Sequence, residues 1–337
     1  MTSARLPLAV SLGDPAGIGP EIIVRAWASR AGGRIPPFFV VGGANVLRDA
    51  AQSAGVAGAV ERIDTPLNAA EVWNRAIPVL GGDDTVYSPG QPDESGARLA
   101  LFSLVEATSR VALGEASGLV TAPISKAELA QVGFTQPGQT EFLADAFGRD
   151  REDAVMMLAG PSLRAVPLTV HCALAEVPDL LSKELIIHRA RIVHEALRID
   201  FGIAKPRLAV CGLNPHAGEN GKFGDEEQFV IGPAVAQLES EGLDITGPHP
   251  GDAIFTPRAR KSYDAALAMY HDQALIPLKA LDFDEGVNVT LGLPVVRTSP
   301  DHGTAFDIAG KGKADPGAMI AALRMASEIA DRRIANG

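Results

Sequence analysis

The stretch LAVSLGDPAGIGPE, from Leu8 to Glu21, contains a complete strand-to-helix unit. Its first part, Leu8–Leu12, is an apolar run of strand length, and apolar residues with helical spacing resume in Pro20–Ser29. Between them, Gly13–Gly19 supplies the glycines and the proline that are typical of a tight connection. The stretch therefore predicts a β-strand that passes through a short turn into an α-helix.

The same alternation of apolar runs and helical patterns continues along the chain. A mostly parallel sheet with helices on both faces produces such a pattern, so the predicted fold class is α/β and doubly wound. The further predicted strands are Phe38–Val41, Gly118–Thr121, Ala165–Val170, Arg207–Leu213, Ala265–Tyr270 and Val287–Val289. The further predicted helices are Arg98–Val111, Lys183–Ile199, Glu226–Glu241 and Pro316–Ile334.

The glycine-rich turn Gly13–Gly19 has two possible roles. Backbone amides beside a helix N-terminus suit an anion. The glycine spacing, however, matches neither the dinucleotide pattern G-x-G-x-x-G nor a P-loop. The residues alone leave a ligand-binding loop and a purely structural connection equally open.

The composition indicates an acidic globular protein. With 337 residues the chain is long enough for two domains, each with its own core. The net charge of −11 argues against nucleic acid or an anionic membrane as the main partner, because both bind basic surfaces. Two cysteines form no disulfide framework, the amino terminus lacks the apolar region of a signal peptide, and no run approaches the ~18 apolar residues of a membrane span. We therefore expect a cytoplasmic protein.

Three histidines, His171, His216 and His271, follow directly on predicted strands. In open α/β sheets, ligands gather at the carboxyl ends of strands. Three neutral imidazoles converging there would bind a divalent metal and leave open positions for a substrate. One such histidine alone is more often a hydrogen-bonded, partly buried side chain, but three together favour a metal site.

A second polar set lies further along the chain. Lys279, Asn288 and Arg297 are spaced nine residues apart around the acidic turn Asp282–Gly286. Two cations and an amide donor would suit a phosphate or carboxylate, which arginine can bind bidentately. Spacing alone equally allows surface charges that balance the acidic turn. The run DHGTAFDIAGKG, Asp301–Gly312, is a glycine-punctuated loop of the kind that wraps a nucleotide.

Together these runs resemble the 4-hydroxythreonine-4-phosphate dehydrogenase family of pyridoxal phosphate biosynthesis. The loop Asp301–Gly312 is also similar to the adenosine-binding loop of isopropylmalate dehydrogenases. The matching segments span nearly the whole chain in the family's order: Gly13–Glu21, Thr121–Lys126, Pro137–Leu143, Met156–Gly160, Asn214–Glu219, Met269–Gln273 and Gly286–Gly312.

The resemblance implies a homodimeric enzyme with the isocitrate/isopropylmalate dehydrogenase-like fold, in which two doubly wound α/β domains have a cleft between them. The first domain is expected at residues 1–140 plus 295–337. The second, with the metal ligands and the dimer interface, is expected at residues 141–294. The family uses NAD or NADP without the usual dinucleotide fingerprint, and the cofactor-binding positions implied here are His302, Gly303, Thr304 and Asp307.

The resemblance also assigns the metal and the substrate positions. His171, His216 and His271 match the ligands of one Zn²⁺, Mg²⁺ or Co²⁺ per site, with His271 supplied across the dimer interface. The substrate-binding positions are Thr140, Lys279, Asn288 and Arg297. Before the threonine the family has a histidine, whereas this chain has Gln139, which can donate a hydrogen bond but cannot carry charge or shuttle a proton.

The implied reaction is NAD(P)-dependent oxidation of the secondary alcohol of 4-phosphohydroxy-L-threonine, helped by the Lewis acidity of the metal. Its product, 2-amino-3-oxo-4-phosphobutanoate, decarboxylates to 3-amino-2-oxopropyl phosphate. Asp252 and Asp272 are the candidates for accepting the alcohol proton or steering the metal.

Three alternatives remain at this point. A relative within the family acts on 4-phospho-D-threonate, 4-phospho-D-erythronate or a terephthalate dihydrodiol. The dihydrodiol has no phosphate, so the retained Lys279, Asn288 and Arg297 argue against it. The others are an acyltransferase resembling phosphate acetyltransferase and a non-catalytic metal- or nucleotide-binding protein.

Overall fold

A computed structural model describes residues 5–33 and 35–336 of the chain. Within these ranges the strands are β1 Leu8–Ser11, β2 Phe38–Val41, β3 Ala59–Ile63, β4 Ala76–Leu80, β5 Leu119–Thr121, β6 Val155–Ala159, β7 Arg164–Pro167, β8 Arg207–Cys211, β9 Asp244–His249, β10 Ala265–Ala268, β11 Val287–Leu291 and β12 Arg297–Pro300. The α-helices are α1 Gly19–Ala28, α2 Ala44–Ser53, α3 Ala69–Val72, α4 Glu94–Ala112, α5 Lys126–Gln131, α6 Gln139–Ala146, α7 Val177–Leu180, α8 Lys183–Ile199, α9 Gly232–Ser240, α10 Gly251–Ile254, α11 His271–Asp282 and α12 Gly317–Asn336. In the described part of the chain, no helix is long and apolar enough to cross a membrane.

The chain divides into two compact units. The first unit comprises the chain up to Arg151 together with Leu293–Asp331, and the second comprises Glu152–Gly292 together with the segment from Arg332 onward. The first unit carries Gln139, Thr140, Arg297, His302, Gly303, Thr304 and Asp307. The second carries His171, His216, Asp252, His271, Asp272, Lys279 and Asn288.

In the first unit, six parallel strands follow the order β3-β4-β2-β1-β5-β12. All four residues of β1 are buried, and the strand pairs with β2 and β5. Helix α4 packs on β1 and β2, and α2 packs on β3. Parallel neighbours require crossover connections, which the helices provide. The predicted α/β class is confirmed.

In the second unit, the strand order is β11-β6-β7-β10-β8-β9. Strands β7, β10, β8 and β9 are parallel, whereas β11 and β6 are antiparallel to their neighbours. Helix α11 packs on β7 and β10. The three strands that precede the histidines, β7, β10 and β8, are therefore side by side, and their carboxyl ends lie at the same edge.

The predicted helix Glu226–Glu241 is interrupted in the structure. Its first part, Glu227–Ile231, is a π-helical turn, and the α-helix begins only at Gly232. Pro233 lies in the first turn of α9 and has no backbone N–H to donate, so a continuous α-helical ladder through this point is impossible. Two strands are also shorter than predicted. β7 ends at Pro167, whereas the predicted strand Ala165–Val170 continues to Val170. β10 ends at Ala268, whereas the predicted strand Ala265–Tyr270 continues to Tyr270.

Candidate active site

His171 lies on the loop that follows β7, and His271 is the first residue of α11, which follows the neighbouring strand β10. Beyond the end of β7, the backbone N–H and the hydroxyl of Thr169 both donate to the carbonyl oxygen of Met269, at 3.2 and 2.9 Å. These bonds extend the β7–β10 pairing into the two loops. As a result, the centroids of the two imidazole rings are 5.9 Å apart.

The ring of His271 is oriented by the next residue. Its Nδ1 lies 2.7 Å from Oδ1 of Asp272. A carboxylate can only accept, so in the neutral imidazole Nδ1 carries the proton and Nε2 keeps a lone pair. Carboxylates hold metal-binding imidazoles in this way, and the arrangement leaves Nε2 of His271 available as a ligand atom.

His216 belongs to a turn of left-handed backbone that follows β8. Six consecutive residues have positive φ: His216 at 55°, Ala217 at 51°, Gly218 at 76°, Glu219 at 42°, Asn220 at 58° and Gly221 at 86°. A non-glycine residue in this region costs roughly 1–2 kcal/mol. Such a turn persists only when its surroundings enforce it, so the exposed ring of His216 is placed by contacts elsewhere in the unit.

Two cavities open beside the histidines. His216 lines a cavity of about 630 Å³ together with Asp252 and Gln273, and His171 and His271 line one of about 310 Å³. Tyr270 and Asp272 line both cavities. Within the described residues, no three His, Cys, Asp or Glu side chains are arranged to hold a metal ion. One chain therefore brings His171 and His271 together and places His216 in the neighbouring cavity, so the three imidazoles do not converge within it.

Gln273 joins two of the strand ends, a role that the sequence pattern does not predict, although Gln273 lies in the family-like segment Met269–Gln273. Its Oε1 accepts from the backbone N–H of Met269 at 2.7 Å, and its Nε2 donates to the carbonyl of Gly212 at 2.8 Å. The side chain thereby ties the loop after β10 to the loop after β8. A glutamine in the first turn of a helix is usually solvated, so only the structure identifies this role.

In the first unit, Arg297 is 4% exposed, and two neutral side chains accept hydrogen bonds from it. Its Nη2 donates to Oγ1 of Thr121 at 2.8 Å and to Oε1 of Gln139 at 3.0 Å. Burial lowers the pKa of Arg297 to about 10, which leaves the guanidinium charged at neutral pH. Gln139 and Thr140 form the first turn of α6, where backbone N–H groups lack helical partners and suit an anion.

In the second unit, Lys279 lies in the last turn of α11 and Asn288 lies on β11. Both residues are half-buried. The side-chain Oδ1 of Asn288 is buried and has no hydrogen-bond partner among the described residues. A buried acceptor of this kind is normally satisfied by a ligand or by water.

The glycine-rich turn after β1 supports the loop Asp301–Gly312. The backbone N–H of Ile18 donates to the carbonyl of Thr304 at 2.9 Å, and a Cβ on Gly17 would lie 2.9 Å from the same oxygen. The amides of Asp14 and Gly17 donate to the carbonyls of Pro123 and Asp14. Because these N–H groups are used within the protein, the structure favours the structural connection over the anion-binding loop.

His302 on the supported loop has one ring nitrogen to spare. Its Nδ1 lies 3.1 Å from the carbonyl of Gly303, whereas Nε2 is buried and has no partner among the described residues. The carbonyl can only accept, so Nε2 is left as an acceptor. A Cβ on Gly303 would meet nothing within 4 Å, and Asp307 is exposed. The loop thus presents acceptors to a ligand with N–H or O–H groups.

The chain is similar to several known proteins over nearly its whole length. The family model described as "PdxA: Pyridoxal phosphate biosynthetic protein PdxA" matches residues 34–326. A 4-hydroxythreonine-4-phosphate dehydrogenase of Erythrobacter litoralis is 65% identical over 99% of each chain. A crystal structure of a 4-hydroxythreonine-4-phosphate dehydrogenase from Klebsiella pneumoniae has a TM-score of 0.85 and 38% identity, with 98% of this chain and 99% of that chain covered. A terephthalate 1,2-cis-dihydrodiol dehydrogenase structure from Burkholderia xenovorans has a TM-score of 0.64 and 29% identity, with 96% and 98% covered.

The chain is thus a dehydrogenase, an oxidoreductase that works with a nicotinamide cofactor. It belongs to the PdxA family of pyridoxal phosphate biosynthetic proteins. The family resemblance predicted from the sequence is confirmed. The acyltransferase and the non-catalytic binding protein are both excluded.

Proposed function

We propose that the protein oxidises 4-phosphohydroxy-L-threonine with NAD⁺ or NADP⁺ to 2-amino-3-oxo-4-phosphobutanoate, which then loses CO₂ to give 3-amino-2-oxopropyl phosphate. The observation that carries the proposal is the buried, charged Arg297, which Thr121 and Gln139 hold beside the N-terminus of α6. A buried guanidinium next to free helix amides fits a phosphate. The near-complete match to a relative named for this substrate supports the same assignment.

The substrate is proposed to contact five side chains. Gln139, Thr140 and Arg297 would hold the phosphate, with Lys279 as a further cation. The unpaired Oδ1 of Asn288 is an acceptor, so it suits an ammonium or hydroxyl group of the substrate rather than the phosphate. Fixing both ends of the molecule would hold the carbinol carbon in one position for hydride transfer.

The nicotinamide cofactor is proposed to bind the loop that contains His302, Gly303, Thr304 and Asp307. The buried Nε2 of His302 would accept a hydrogen bond from the cofactor, and Asp307 offers a carboxylate to a ribose hydroxyl. The open space at Gly303 lets a ligand approach the backbone closely. The choice between NAD and NADP is part of the test below.

The proposed metal ligands are His171 and His216 of one subunit and His271 of a second subunit. The donor set fits a divalent metal, because imidazole nitrogen suits Zn²⁺ and Co²⁺, whereas Mg²⁺ prefers oxygen ligands. The metal would supply Lewis acidity at the alcohol oxygen of the substrate. Asp272 orients His271 by its hydrogen bond to Nδ1.

Of the two candidate bases, we propose Asp252. Its exposed carboxylate lines the cavity beside His216. The carboxylate of Asp272 also faces this cavity but is hydrogen-bonded to His271, which makes it the orienting group. Asp252 would take the alcohol proton as hydride leaves the neighbouring carbon.

Exposed apolar side chains of the second unit support a homodimer. Leu174, Phe229, Ile276 and Phe283 are 64% to 71% exposed. Ile276 and Leu174 also line the cavities that contain the histidines. Large exposed apolar groups near a site mark a docking surface, and a second copy would complete the metal site there. We also propose the two-domain organisation predicted from the sequence, for which the two compact units are the support.

A second substrate class within the family fits some of the same residues. 4-Phospho-D-threonate and 4-phospho-D-erythronate carry the phosphate that Arg297 would bind. Beside that phosphate, Gln139 stands in place of the family's histidine. A dihydrodiol lacks the phosphate, although a dihydrodiol dehydrogenase shares the fold over nearly the whole chain. These compounds are therefore the comparison substrates in the test.

The test is the absorbance of reduced nicotinamide when the purified protein is mixed with each substrate and NAD⁺ or NADP⁺. We expect the highest kcat/KM with 4-phosphohydroxy-L-threonine, loss of turnover after treatment with a chelator, and recovery on adding Zn²⁺ or Co²⁺. Preference for another phosphorylated acid would replace the proposed substrate. Turnover that survives complete metal removal would contradict the metal site.

A further inference from the structure

The turn that carries His216 is attached to one buried carboxylate. Glu227 is 5% exposed and is the first residue of the π-helical turn that precedes α9. Its Oε1 accepts from the backbone N–H of Asn214 at 2.7 Å, and its Oε2 accepts from Nδ2 of Asn214 at 3.0 Å. Both oxygens therefore bind Asn214, which lies two residues before the left-handed turn begins at His216.

Two glycines leave room for this carboxylate. A Cβ on Gly218 would lie 2.6 Å from Oε2 of Glu227, and one on Gly212 would lie 3.0 Å from Oε1. Gly212 precedes the turn and Gly218 is within it, so the carboxylate is enclosed by the segment that it holds. π-Helical turns are frequent at functional sites. Here the π-helical turn contains the buried Glu227 at its start.

We propose that Glu227 is a positioning residue that holds His216 in its left-handed conformation and thereby raises the affinity of the protein for its metal ion. The proposal rests on the metal-binding role proposed above for His216. Glu227 touches Asn214 rather than the metal, so it acts through the backbone of the turn. Without this attachment, the non-glycine residues of the turn would relax from positive φ, and the imidazole of His216 would leave its place.

The test compares two neighbouring glutamates that lose the same charge. In Glu227→Gln the new side chain keeps one oxygen that can accept a hydrogen bond from Asn214. Its NH₂ group replaces the other oxygen, lies against a second N–H donor of Asn214 and cannot accept from it. Glu226→Gln is the matched control. Glu226 makes one bond, in which its Oε2 accepts from Nδ2 of Asn214 at 2.6 Å, and a glutamine oxygen can still accept it. An effect of charge alone would appear equally in both variants.

The first measurement is amide hydrogen exchange in the metal-free protein. The N–H groups of Asn214, Ala217 and Gly221 are hydrogen-bonded in or to the turn. We expect them to exchange about tenfold faster or more in Glu227→Gln, the factor for a lost 1.4 kcal/mol, and unchanged in Glu226→Gln. The amides of β8 should stay as in the wild type. Equal exchange of the turn in all three proteins would overturn the attachment.

The second measurement is Zn²⁺ affinity, by competition with a chromogenic chelator. We expect Glu227→Gln to bind about 10- to 100-fold more weakly, as for other residues that orient a metal ligand, and Glu226→Gln to match the wild type. Faster exchange with unchanged affinity would reduce Glu227 to a structural support and overturn its positioning role. Should Glu227→Gln fail to fold, Asn214→Ala removes only the Nδ2 bonds, and the same two outcomes decide the proposal.

A failure of the proposed metal site gives a different result. If His216→Ala binds Zn²⁺ as tightly as the wild type, His216 is not a ligand, and the affinity measurement counts against the proposed function and against the effect of Glu227 on the metal. The exchange measurement then still decides whether Glu227 holds the turn.

Discussion

Arg297 shows how the chemistry of a site depends on the neutrality of a neighbouring side chain. The oxygen of Gln139 accepts from the buried guanidinium, and Gln139 has no charge at any pH. A histidine in its place would act the same way only while the ring is neutral. The replacement of the family's histidine by Gln139 therefore changes the pH range over which the side chain accepts from Arg297, as well as the shape of the site.

We predict that Gln139→His makes the stability of the protein sensitive to acid. The cation of Arg297 lowers the pKa of the introduced imidazole below its usual ~6.5. Because the charged form is disfavoured in the folded protein, the unfolded chain binds more protons, and stability falls as pH falls through this range. Below about pH 6, the melting temperature of the substrate-free Gln139→His variant should fall relative to that of the wild type.

The control for this prediction is Gln52→His, at an exposed position on α2. There the imidazole is solvated, and the difference from the wild type should stay constant with pH. Parallel pH profiles for Gln139→His and the wild type would show that position 139 does not face Arg297 in solution.

A second prediction at the residue scale concerns the phosphate. Arg297→Ala should weaken substrate binding by roughly 1.5–3 kcal/mol, the range for a hydrogen bond to a charged group. A dephosphorylated substrate should lose a similar amount with the wild type but little more with the variant, because both changes remove one interaction. Binding constants for the four combinations check this, with Arg297→Lys as a charge-preserving control. Additive losses would show that Arg297 does not contact the phosphate.

At the scale of elements, the sequence predicts those segments whose structure is decided locally. Phe38–Val41 and Lys183–Ile199 have the predicted bounds, since the first is an entirely buried strand and the second is an amphipathic helix that Ser182 caps. The sequence pattern does not predict helix α11, because Pro277 lies inside it. The histidines at the strand ends could likewise be found from the order of strand and loop.

Other parts of the site depend on contacts that are distant in sequence. The segment His216–Gly221 contains two glycines, so local preference does not predict six consecutive residues with positive φ. Glu227 and Gln273 hold this turn and the strand ends through hydrogen bonds to residues 13 and 61 positions away. In the sequence they are polar residues of ordinary helical segments.

The glycine directly after β11 gives a prediction at the scale of elements. Gly292 has a φ of 79°, and a Cβ there would lie 2.0 Å from the carbonyl oxygen of Asp153. Gly114 has a φ of 71° but has open space around it. Gly114→Ala should therefore lose only about 1–2 kcal/mol from the left-handed backbone. Gly292→Ala should lose about 1–3 kcal/mol more from the clash. Urea denaturation of both variants gives the difference, and equal losses would contradict the close approach.

At the scale of the whole molecule, the proposed metal site requires ligands from more than one chain. His171 and His271 are close together in one chain, yet no three suitable ligands converge in the described residues. The proposal assigns these two histidines of one chain to different metal sites of a dimer. A competing arrangement keeps both of them in one site of one chain. Mixing subunits of two inactive variants distinguishes the shared site from the site within one chain.

Neither His171→Ala nor His271→Ala homodimers should turn over, because every site of each lacks one ligand. After dissociation and mixing in equal amounts, half of the dimers should contain one chain of each kind. In these, one site combines His171 and His216 of the His271→Ala chain with His271 of the His171→Ala chain, and the other site lacks both ligands. Recovery of about one quarter of the wild-type activity is expected, from one intact site in two on half the molecules. Mass spectrometry confirms that exchange has taken place.

The control is His171→Ala mixed with His216→Ala. These two mutated residues belong to the same half-site, so every site of the mixed dimer lacks one ligand. No activity should return. Exchanged but inactive mixtures of His171→Ala with His271→Ala would assign both ligands to one chain and remove the shared interface from the mechanism.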